Sequence, residues 1–302
     1  MRVALTGGSG LIGGAVTAAL LADGHEVIHL VRPPRRAAEG QVAWDPAGGT
    51  IDAGGLEGLD AVVHLAGEPT TAWRWTAAKK RRIYASRVDG TRLLAETLAV
   101  LQSRPRVFVS YSAVGYYGDR GDEVLREDSP PGSGFLAKVA TDWEAAAHPA
   151  TGREIRVVHL RGAPVVAGHS AFLTRQAPAF KLGLGGPLGS GRQWWPWVAL
   201  EDVVGVVRHV LARDDIRGPV NVVAPELCTN FEFARTLGRV LGRPALLPVP
   251  SPLLRAAMGE IAGEMLLASQ RVEPARLVES GYHFHFPMLE PALRHALSRP
   301  FA

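Results

Sequence analysis

Residues 1–36 are MRVALTGGSGLIGGAVTAALLADGHEVIHLVRPPRR, and their pattern predicts the architecture of the whole chain. A short apolar run at Arg2–Thr6 has the length of a strand, and a glycine-rich turn follows at Gly7–Gly13. Residues Ala15–Ala22 favour a helix, and a second apolar run occupies Glu26–Val31. The order of strand, glycine turn, helix and strand predicts a βαβ unit with parallel strands.

The glycine turn has the features of a phosphate-binding site. Gly7 allows a sharp turn after the strand, Gly10 exposes backbone N–H groups because it lacks a Cβ atom, and Gly13 lets the helix pack closely on the sheet. The N-terminus of the helix adds free N–H donors and a partial positive charge. The alternative is a glycine-rich loop without a ligand. In a βαβ unit these features predict that a dinucleotide pyrophosphate is bound by Gly7, Gly8, Ser9, Gly10, Leu11, Ile12 and Gly13.

The end of the second strand indicates which dinucleotide is bound. NAD sites carry an acidic residue about 20 residues after the turn, which accepts hydrogen bonds from the ribose 2′-hydroxyl. At that place this chain has Val31 and then the arginines Arg32, Arg35 and Arg36. Because a guanidinium can pair with two phosphate oxygens, we predict NADP(H), with Arg32 as the main contact to the 2′-phosphate. The alternative is a basic turn that contacts only solvent.

The composition excludes several classes of protein. The chain has 302 residues, of which 47% are hydrophobic and 21% charged, which suits one large domain or two closely associated domains. Cys228 is the only cysteine, so an intrachain disulfide and a cysteine-based metal site are excluded. The net charge is only +4, and the basic run Lys79–Arg82 favours a solvated helix face over a nucleic-acid site. No apolar run reaches the roughly 18 residues of a membrane span, so we expect a cytoplasmic protein without a membrane partner.

A further strand is expected to end at the same crevice as the glycine turn. The apolar run at 59–67 ends in the small residues Leu65, Ala66 and Gly67, over which a cofactor can pass. Glu68 follows directly. It is either a catalytic or hydrogen-bonding carboxylate in the crevice or a cap of the next helix.

Alternating strands and helices predict the fold class. Apolar runs such as 107–113, which ends in serine hydroxyls, alternate with helical stretches such as 77–103. This alternation predicts an α/β protein with a Rossmann-type, doubly wound parallel sheet. We assign residues 1–161 to that domain and residues 162–302 mostly to a smaller C-terminal substrate domain. A segment of the second half, at about 194–223, is expected to interleave with the sheet.

The order of motifs resembles the extended short-chain dehydrogenase/reductase superfamily, and within it the YfcH-like branch of NAD(P)-dependent epimerases and dehydratases. The match covers essentially the whole chain. It implies an enzyme that transfers hydride between NADP(H) and a small polar substrate, which could be nucleotide-linked. The blocks that carry the resemblance are His64–Glu68, Arg74–Thr76, Ser86–Arg87, Gly115–Gly118, Gly185–Gly191 and Leu267–Val272.

The resemblance also implies a catalytic apparatus, from which this chain departs. The superfamily uses a Ser or Thr and a Tyr-x-x-x-Lys motif, in which the lysine and the nicotinamide lower the pKa of the tyrosine. Ser112 matches the serine, but Phe135 stands at the tyrosine position and Val139 at the lysine position. Lys138 is one residue away, so its side chain leaves the helix about 100° from the required direction. We therefore predict that the usual proton-transfer pair is absent.

Other side chains near the predicted crevice are candidates for the missing proton donor. Tyr116 and Tyr117 follow the serine, and each could donate a proton or only line the substrate pocket. Glu68 is the third candidate. By resemblance, Arg87 faces the cofactor. Arg161, at the end of a strand, could bind the cofactor or a phosphate, or could form an ordinary salt bridge.

Aromatic and histidine residues of the second half have simpler explanations. Trp194, Trp195 and Trp197 could stack on a base or ring, but filling of the core explains them equally well. His283 and His285 alternate as in a strand, and no third ligand is spaced to complete a metal site. We therefore predict no metal.

Two functions from different classes remain open. The leading one is an NADP(H)-dependent oxidoreductase or epimerase-like enzyme, with Ser112 binding the reacting oxygen. The other is a cofactor-binding sensor or scaffold that has lost the chemistry, which Phe135 and Val139 favour. A nucleic-acid binder is supported only by the basic character of the chain and its one basic run. The long helices could pair two copies into a homodimer, although no exposed apolar stripe requires it.

Overall fold

An eight-stranded sheet forms the centre of the molecule. The computed structural model describes residues 1–32, 37–38 and 40–298. The strands are β1 (Arg2–Thr6), β2 (Glu26–Val31), β3 (Gln41–Asp45), β4 (Thr50–Ile51), β5 (Ala61–His64), β6 (Val107–Ala113), β7 (Val124–Leu125), β8 (Arg156–Gly162), β9 (Val165–Val166), β10 (Val198–Ala199), β11 (Gly218–Val222) and β12 (Arg271–Val272). The helices are α1 (Leu11–Ala22), α2 (Ala77–Val100), α3 (Phe135–Ala145), α4 (His148–Thr151), α5 (Ala171–Lys181), α6 (Leu200–Ala212), α7 (Asn230–Val240), α8 (Ser251–Met258), α9 (Ala275–Glu279) and α10 (Leu289–Ser298). A π-helical turn follows α8 at Ala262–Leu267.

The strand order in the sheet is β11-β8-β6-β5-β1-β2-β3-β4. Every neighbouring pair is parallel except β3 and β4. In chain order, strands β1 to β4 extend from β1 to one edge of the sheet. The next strand, β5, lies on the other side of β1, so the order in which strands are added reverses there. The predicted doubly wound, Rossmann-type sheet is confirmed. Such a reversal opens a crevice outside the carboxyl ends of the strands.

Helices cover both faces of the sheet, which explains why its central strands are apolar on both sides. One face packs on α1 and α6 through residues such as Val16 and Val207. The other face packs on α2 and α4 through residues such as Leu94 and Ala150. Across the described helices, none combines the length and the apolar character that a membrane span requires.

The second half of the chain contributes both to the sheet and to a core of its own. β11 pairs with β8 at the edge of the sheet, so a segment of this half returns to the first. Helices α5, α7 and α10 share a separate apolar cluster that includes Phe180, Phe233 and Leu293. The second half of the chain therefore passes between the sheet and the second core more than once. The segment around α8 and the π-helical turn comes later in the chain than β11 and α7.

Candidate functional site

The glycine turn lies between the carboxyl ends of β1 and β5. Gly7 has a φ angle of 73°, a left-handed conformation that favours glycine. A Cβ atom on Gly7 would lie 2.9 Å from the carbonyl carbon of Leu65, and one on Gly13 would overlap the carbonyl oxygen of Gly7. Both positions require glycine because the turn packs directly against backbone atoms.

The N-terminus of α1 is open to an anion. Its N-cap residue, Gly10, provides no side-chain cap, and the first turn contains no acidic residue. Ser9 and Gly10 are exposed, and Leu11 and Ile12 are half-buried. By contrast, the N-terminus of α2 is capped by the hydroxyl of Thr76. The free N–H groups and the dipole of α1 fit the pyrophosphate of a dinucleotide.

The end of β2 carries the arginine that we expect to contact a 2′-phosphate. Val31 is the last residue of the strand and is half-buried, and the side chain of Arg32 after it is exposed. Arg32 forms no ion pair with any residue that the structure describes. Arg35 and Arg36 lie outside the described residues. A cofactor contact by these three arginines stays a prediction.

Thr6 joins the ends of β1 and β5. Its hydroxyl oxygen accepts hydrogen bonds from the backbone N–H groups of Leu65 and Ala66, each at 3.1 Å. The hydroxyl proton is left to donate to Nδ1 of His64, at 2.7 Å, which places the ring proton on Nε2. Burial, and then the nearby guanidinium of Arg87, lower the pKa of His64 to about 3, so the ring is neutral. These bonds fix the backbone that borders the crevice.

The guanidinium of Arg87 supports the same backbone. Its Nη1 atom donates to the carbonyl oxygens of Glu68, at 2.8 Å, and Ile83, at 3.3 Å. The guanidinium also lies against Gly67 and stacks on Trp143, 5.1 Å from the ring centroid. Burial lowers the pKa of Arg87 to about 10, so the group is still charged at neutral pH. Arg87 therefore holds the strand end in place, and its contact to a cofactor stays a prediction.

Glu68 is an ionised carboxylate at the edge of the crevice. Its Oε1 atom accepts a hydrogen bond from Nζ of Lys79 at 2.7 Å and lies 3.4 Å from Nε of Arg82. The hydrogen bond from Lys79 holds the pKa of Glu68 below its ordinary value. The alternative that Glu68 caps the next helix is wrong, because Thr76 caps α2. In this state Glu68 can accept a proton but has none to donate at neutral pH.

The basic run at the start of α2 is largely paired with carboxylates of the protein itself. Lys79 binds Glu68, and Lys80 contacts both carboxylate oxygens of Glu260 at 2.8 Å. These contacts connect α2 to the edge of the crevice and to the segment that follows α8. A structural role therefore explains these two charges.

Ser112 belongs to a buried network that includes Glu144, a residue that the sequence analysis missed. Ser112 is 2% exposed, and its hydroxyl donates to Oε1 of Glu144 at 2.8 Å. Arg161, which is 3% exposed, binds both oxygens of the same carboxylate at 2.9 Å. Its Nη1 atom also donates to the hydroxyl of Tyr117 and the carbonyl oxygen of Glu127. The structure thus shows a buried ion pair for Arg161, and cofactor binding by this residue stays a prediction.

Tyr116 and Tyr117 have different surroundings. Tyr117 is fully buried, and its hydroxyl lies 2.9 Å from the carbonyl oxygen of Arg126 and 2.7 Å from Oδ1 of Asn221. Burial raises the pKa of Tyr117 to about 12. Tyr116 is half-buried beneath the guanidinium of Arg161, and its hydroxyl makes no hydrogen bond to a described residue. Of the two, Tyr116 presents the hydroxyl that a substrate could use.

The positions on α3 that correspond to the predicted proton-transfer pair are apolar. Phe135 packs edge-on against Trp75, with 5.4 Å between the ring centroids. Val139 is 3% exposed. The side chain of Lys138 is 69% exposed and pairs with Asp142 at 2.6 Å, on the outer side of the helix. These positions offer no proton donor, and their equivalence to the motif of the superfamily stays a prediction.

A cavity lies between the residues after β6 and the segment around α8. Its volume is about 540 Å³, in the range of small-molecule sites. Glu264, on the π-helical turn, accepts hydrogen bonds from the N–H groups of Phe135 and Leu136 at 2.9 and 3.0 Å, and so caps α3. Glu264 and Arg255 both line the cavity. The sequence analysis missed them because no local motif marks either residue.

The tryptophans and histidines that the sequence analysis considered lie in surroundings that do not indicate a bound ligand. Trp195 and Trp197 are buried in the apolar cluster of the second half, and Trp194 is half-buried. His283 and His285 are exposed. Within the described ranges, no three or more histidine, cysteine, aspartate or glutamate residues are grouped to hold a metal ion.

Known proteins match this chain along almost its entire length. Residues 3–223 match the NAD dependent epimerase/dehydratase family, and residues 249–296 match a domain of unknown function, DUF1731. An epimerase family protein of Mycobacterium bovis is 41% identical over 298 residues, which cover 99% of this chain and 98% of that protein. The human epimerase family protein SDR39U1 is 38% identical over 297 residues, with coverages of 97% and 99%.

Solved structures agree with these matches. The crystal structure of human SDR39U1 isoform 2 with NADPH has a TM-score of 0.89 and 37% identity, and covers 99% of this chain and 100% of that chain. A nucleoside-diphosphate sugar epimerase from Corynebacterium glutamicum has a TM-score of 0.81 and 35% identity, over 98% of this chain and 58% of that chain. The predicted superfamily is confirmed, whereas the YfcH-like branch stays a prediction. The chain belongs to the NAD dependent epimerase/dehydratase family.

Proposed function

We propose that the chain binds NADP(H) in the crevice at the carboxyl ends of β1, β2 and β5. The observation that carries this proposal is the uncapped N-terminus of α1, reached through a turn in which Gly7 and Gly13 admit no side chain. The exposed guanidinium of Arg32 favours a 2′-phosphate over the 2′-hydroxyl of NAD. The human relative crystallised with NADPH, which is 37% identical, supports the same cofactor.

The bound cofactor would serve an oxidoreductase or epimerase-like reaction on a small polar substrate. Its nicotinamide supplies or accepts a hydride. Ser112 donates its own proton to Glu144, which leaves the lone pairs of the serine oxygen free to accept a hydrogen bond from a substrate hydroxyl. This pair provides a route for a proton to leave the reacting oxygen. Arg161 holds the carboxylate of Glu144 in position through two hydrogen bonds.

Two further groups could exchange a proton closer to solvent. Tyr116 is the donor that the surroundings favour, because its hydroxyl is not used by a described residue, whereas that of Tyr117 is. Glu68 is ionised and would act as an acceptor. Tyr116 and Glu68 therefore have opposite roles in this proposal.

A non-catalytic NADP(H)-binding sensor or scaffold is the second candidate. Phe135 and Val139 on α3 cannot transfer protons, and the hydroxyl of Tyr117 is used inside the protein. Such an arrangement is expected of a protein that has kept its cofactor site and lost the side chains that transfer protons. A sensor would bind NADPH and NADP+ with different affinities and would not turn over.

Native mass spectrometry of the gently purified protein tests the cofactor, and a turnover assay then separates the two functions. We expect NADP(H) to be retained or to bind when added, and NADPH to be oxidised with at least one compound in a panel of carbonyl substrates. The Ser112→Ala variant should lose turnover. The matched control is Ser110→Ala, which removes the neighbouring buried hydroxyl on the same strand.

The possible results lead to different conclusions. Release of NAD instead of NADP(H) would show that Arg32 does not select the cofactor. Binding of NADPH without oxidation by any carbonyl compound would reject a reductase. If Ser112→Ala is also indistinguishable from wild type in every assay, epimerisation included, the enzyme is rejected and the sensor is left. Failure to bind either dinucleotide would reject both functions.

A further inference from the structure

Two loops of the second half expose leucine side chains to solvent. The loop that follows α5 contains Leu182 and Leu184, and the loop between α7 and α8 contains Leu246 and Leu247. Each of these four residues is between 50% and 77% exposed. Soluble proteins rarely expose large apolar side chains in a contiguous group, and such a group marks an interaction surface. We call these four residues the leucine patch.

Backbone hydrogen bonds hold the two loops side by side. The N–H group of Leu247 donates to the carbonyl oxygen of Gly185 at 3.3 Å, and that of Val249 donates to the carbonyl oxygen of Pro187 at 2.9 Å. A Cβ atom on Gly186 would overlap the backbone of Leu247, so the loops are in direct contact. The leucines of one loop therefore lie beside those of the other and form one surface.

The leucine patch is separate from the core and from the cavity. The inner side of the same loops is filled by Phe180, at the end of α5, and by Ala245, which both belong to the apolar cluster of the second half. A Cβ atom on Gly185 would overlap the ring of Phe180, so the first loop packs closely on that core. Among the described residues that line the cavity beside β6, none belongs to the leucine patch.

The surroundings of the patch are positively charged. Residues 162–200 and 233–259, which contain the two loops, have seven lysines and arginines but no aspartate or glutamate, although the whole chain has 29 acidic residues. Arg243 lies in the second loop and is exposed. Its Nε atom donates to the carbonyl oxygen of Lys181 at 3.0 Å, and it forms no ion pair with any described carboxylate. A partner of this surface must therefore combine apolar character with negative charge.

This combination favours one kind of partner over two others. A second copy bound about a two-fold axis would place each patch against itself and so bring like charges together. Binding hot spots for proteins are enriched in tryptophan and tyrosine, whereas the patch is aliphatic, and leucine is under-represented in such hot spots. A bilayer with anionic lipids complements both features. Its acyl boundary accepts the leucines, and its phosphates attract the arginines.

We infer that the leucine patch docks the protein on the surface of a bilayer that contains anionic phospholipids. The docking is peripheral, since four side chains enter the head-group region and no segment crosses the bilayer. The sequence predicted no membrane partner because it lacks an apolar run of spanning length, but a patch assembled from two loops needs no such run. The inference is independent of the proposed function, because the cofactor crevice lies at the strand ends and the patch lies on the second core.

Sedimentation of the full chain with lipid vesicles tests the docking. One set of vesicles consists of phosphatidylcholine, and the other is a mixture of phosphatidylcholine and phosphatidylglycerol. We expect the wild type to bind the mixed vesicles about tenfold or more tightly than the neutral ones, and to bind them more weakly as the salt concentration rises. Arg243→Ala should weaken this binding. Arg153→Ala, which removes an exposed arginine from the turn before β8, should leave it unchanged.

A second pair of variants tests the leucines themselves. Leu246→Asp should weaken binding to the mixed vesicles about tenfold or more, because it removes an inserted side chain and adds a negative charge. The matched control is Val278→Asp, which changes an exposed apolar residue on α9, a helix that packs on β11. It should keep the wild-type affinity. Because both side chains are exposed, both variants should keep the wild-type free energy of unfolding, which urea denaturation measures.

The inference is overturned if the wild type binds neither set of vesicles, or if Leu246→Asp and Val278→Asp lose the same affinity. Equal binding to neutral and mixed vesicles would contradict the part given to Arg243 and the anionic lipids. Analytical ultracentrifugation without vesicles examines the other partners. A dimer that Leu246→Asp converts to a monomer would show that the patch joins two copies, and a monomer that binds no vesicles would leave the patch to a protein partner. Either result would reject docking on lipid.

Discussion

Arg32 determines which of two cofactors the crevice would prefer. Its exposed guanidinium follows β2, where NAD sites carry a carboxylate. In the Arg32→Glu variant we expect NADPH to bind at least about tenfold more weakly, because a charge-assisted hydrogen bond is lost and repulsion is gained. NADH should bind more tightly than in the wild type, since a glutamate can accept hydrogen bonds from the ribose. Fluorescence titration with each cofactor measures both affinities.

A matched variant separates this effect from a change in overall charge. Arg153 is also exposed, but it lies in the turn before β8, at the amino end of the strands. Arg153→Glu makes the same change in net charge far from the crevice. If it lowers NADPH affinity as much as Arg32→Glu does, Arg32 is not a specific contact.

Gly13 and Gly14 form a second matched pair, in the first turn of α1. A Cβ atom on Gly13 would overlap the carbonyl oxygen of Gly7, whereas one on Gly14 would meet only the carbonyl oxygen of Gly8, at 3.7 Å. We expect Gly13→Ala to destabilise the protein by about 1–3 kcal/mol through overpacking, and to weaken NADPH binding because the turn must move. Gly14→Ala should be neutral or stabilising, by up to about 1 kcal/mol. Urea denaturation and cofactor titration compare the two, and similar losses in both would contradict the role given to Gly13.

Glu264 connects two elements, because a carboxylate on the π-helical turn caps α3. π-Helical turns often occur at functional sites, and this one brings Glu264 to the N–H groups of Phe135 and Leu136. We expect Glu264→Ala to lower the free energy of unfolding by about 1 kcal/mol, as loss of an N-cap does. Urea denaturation measures this loss.

The neighbouring carboxylate Glu260 provides the control for that measurement. Its side chain is 42% exposed and pairs with Lys80 near the surface, so Glu260→Ala should change the free energy of unfolding by less than about 1 kcal/mol. The comparison removes the general effect of losing a negative charge from this segment. Equal effects of Glu260→Ala and Glu264→Ala would show that Glu264 does not cap α3 in solution.

Elements with strong local signals could be predicted from the sequence. The glycine turn located β1, α1 and β2, and the apolar stripe placed a helix at 77–103 where α2 runs from Ala77 to Val100. β3 and β4 were missed, because Gln41–Asp45 is short and only alternates in hydrophobicity. β7 and β12 have two residues each and pair with one another across almost half of the chain, so only tertiary contact creates them.

Only those parts of the site that are formed by residues close together in the sequence could be predicted. The strand ends and the glycine turn follow directly from residue patterns. Glu144 reaches Ser112 from 32 residues away, and Glu264 reaches Phe135 from 129 residues away. Such approaches depend on how helices pack on the sheet, and a single sequence carries no local signal for them. Arg255 was missed for the same reason.

The whole molecule is more interwoven than a division at residue 161 implies. The family match extends to residue 223 and so includes β11, which pairs with β8 at the edge of the sheet. The domain boundary itself stays a prediction. The cofactor crevice would depend on the first part of the chain, whereas the cavity needs the segment around α8 as well. Mutations in the cavity and mutations at the cofactor crevice should therefore have separate effects.

Global stability should depend on pH through the buried histidines. The pKa of His64 is about 3 in the folded protein, mainly because of burial, against an ordinary value of 6.5. Burial also lowers the pKa of His159. As the pH falls below 6.5, the buried histidines bind protons in the unfolded chain but not in the folded protein. The free energy of unfolding therefore decreases toward acid pH. Between pH 7 and pH 5.5, His64 alone should lower the free energy of unfolding by about 1 kcal/mol.

Urea denaturation at these two pH values tests the linkage in the wild type and in two variants. His64→Gln removes the titrating group, so its loss of stability between pH 7 and pH 5.5 should be smaller than that of the wild type by about 1 kcal/mol, whatever its absolute stability. His148→Gln, which replaces an exposed histidine, is the control for the loss of an imidazole. If His64→Gln loses as much stability toward acid pH as the wild type, then His64 is protonated in the folded protein. The hydrogen bond from Thr6 to Nδ1 would then not exist as described, and the backbone at the crevice would be held by other contacts.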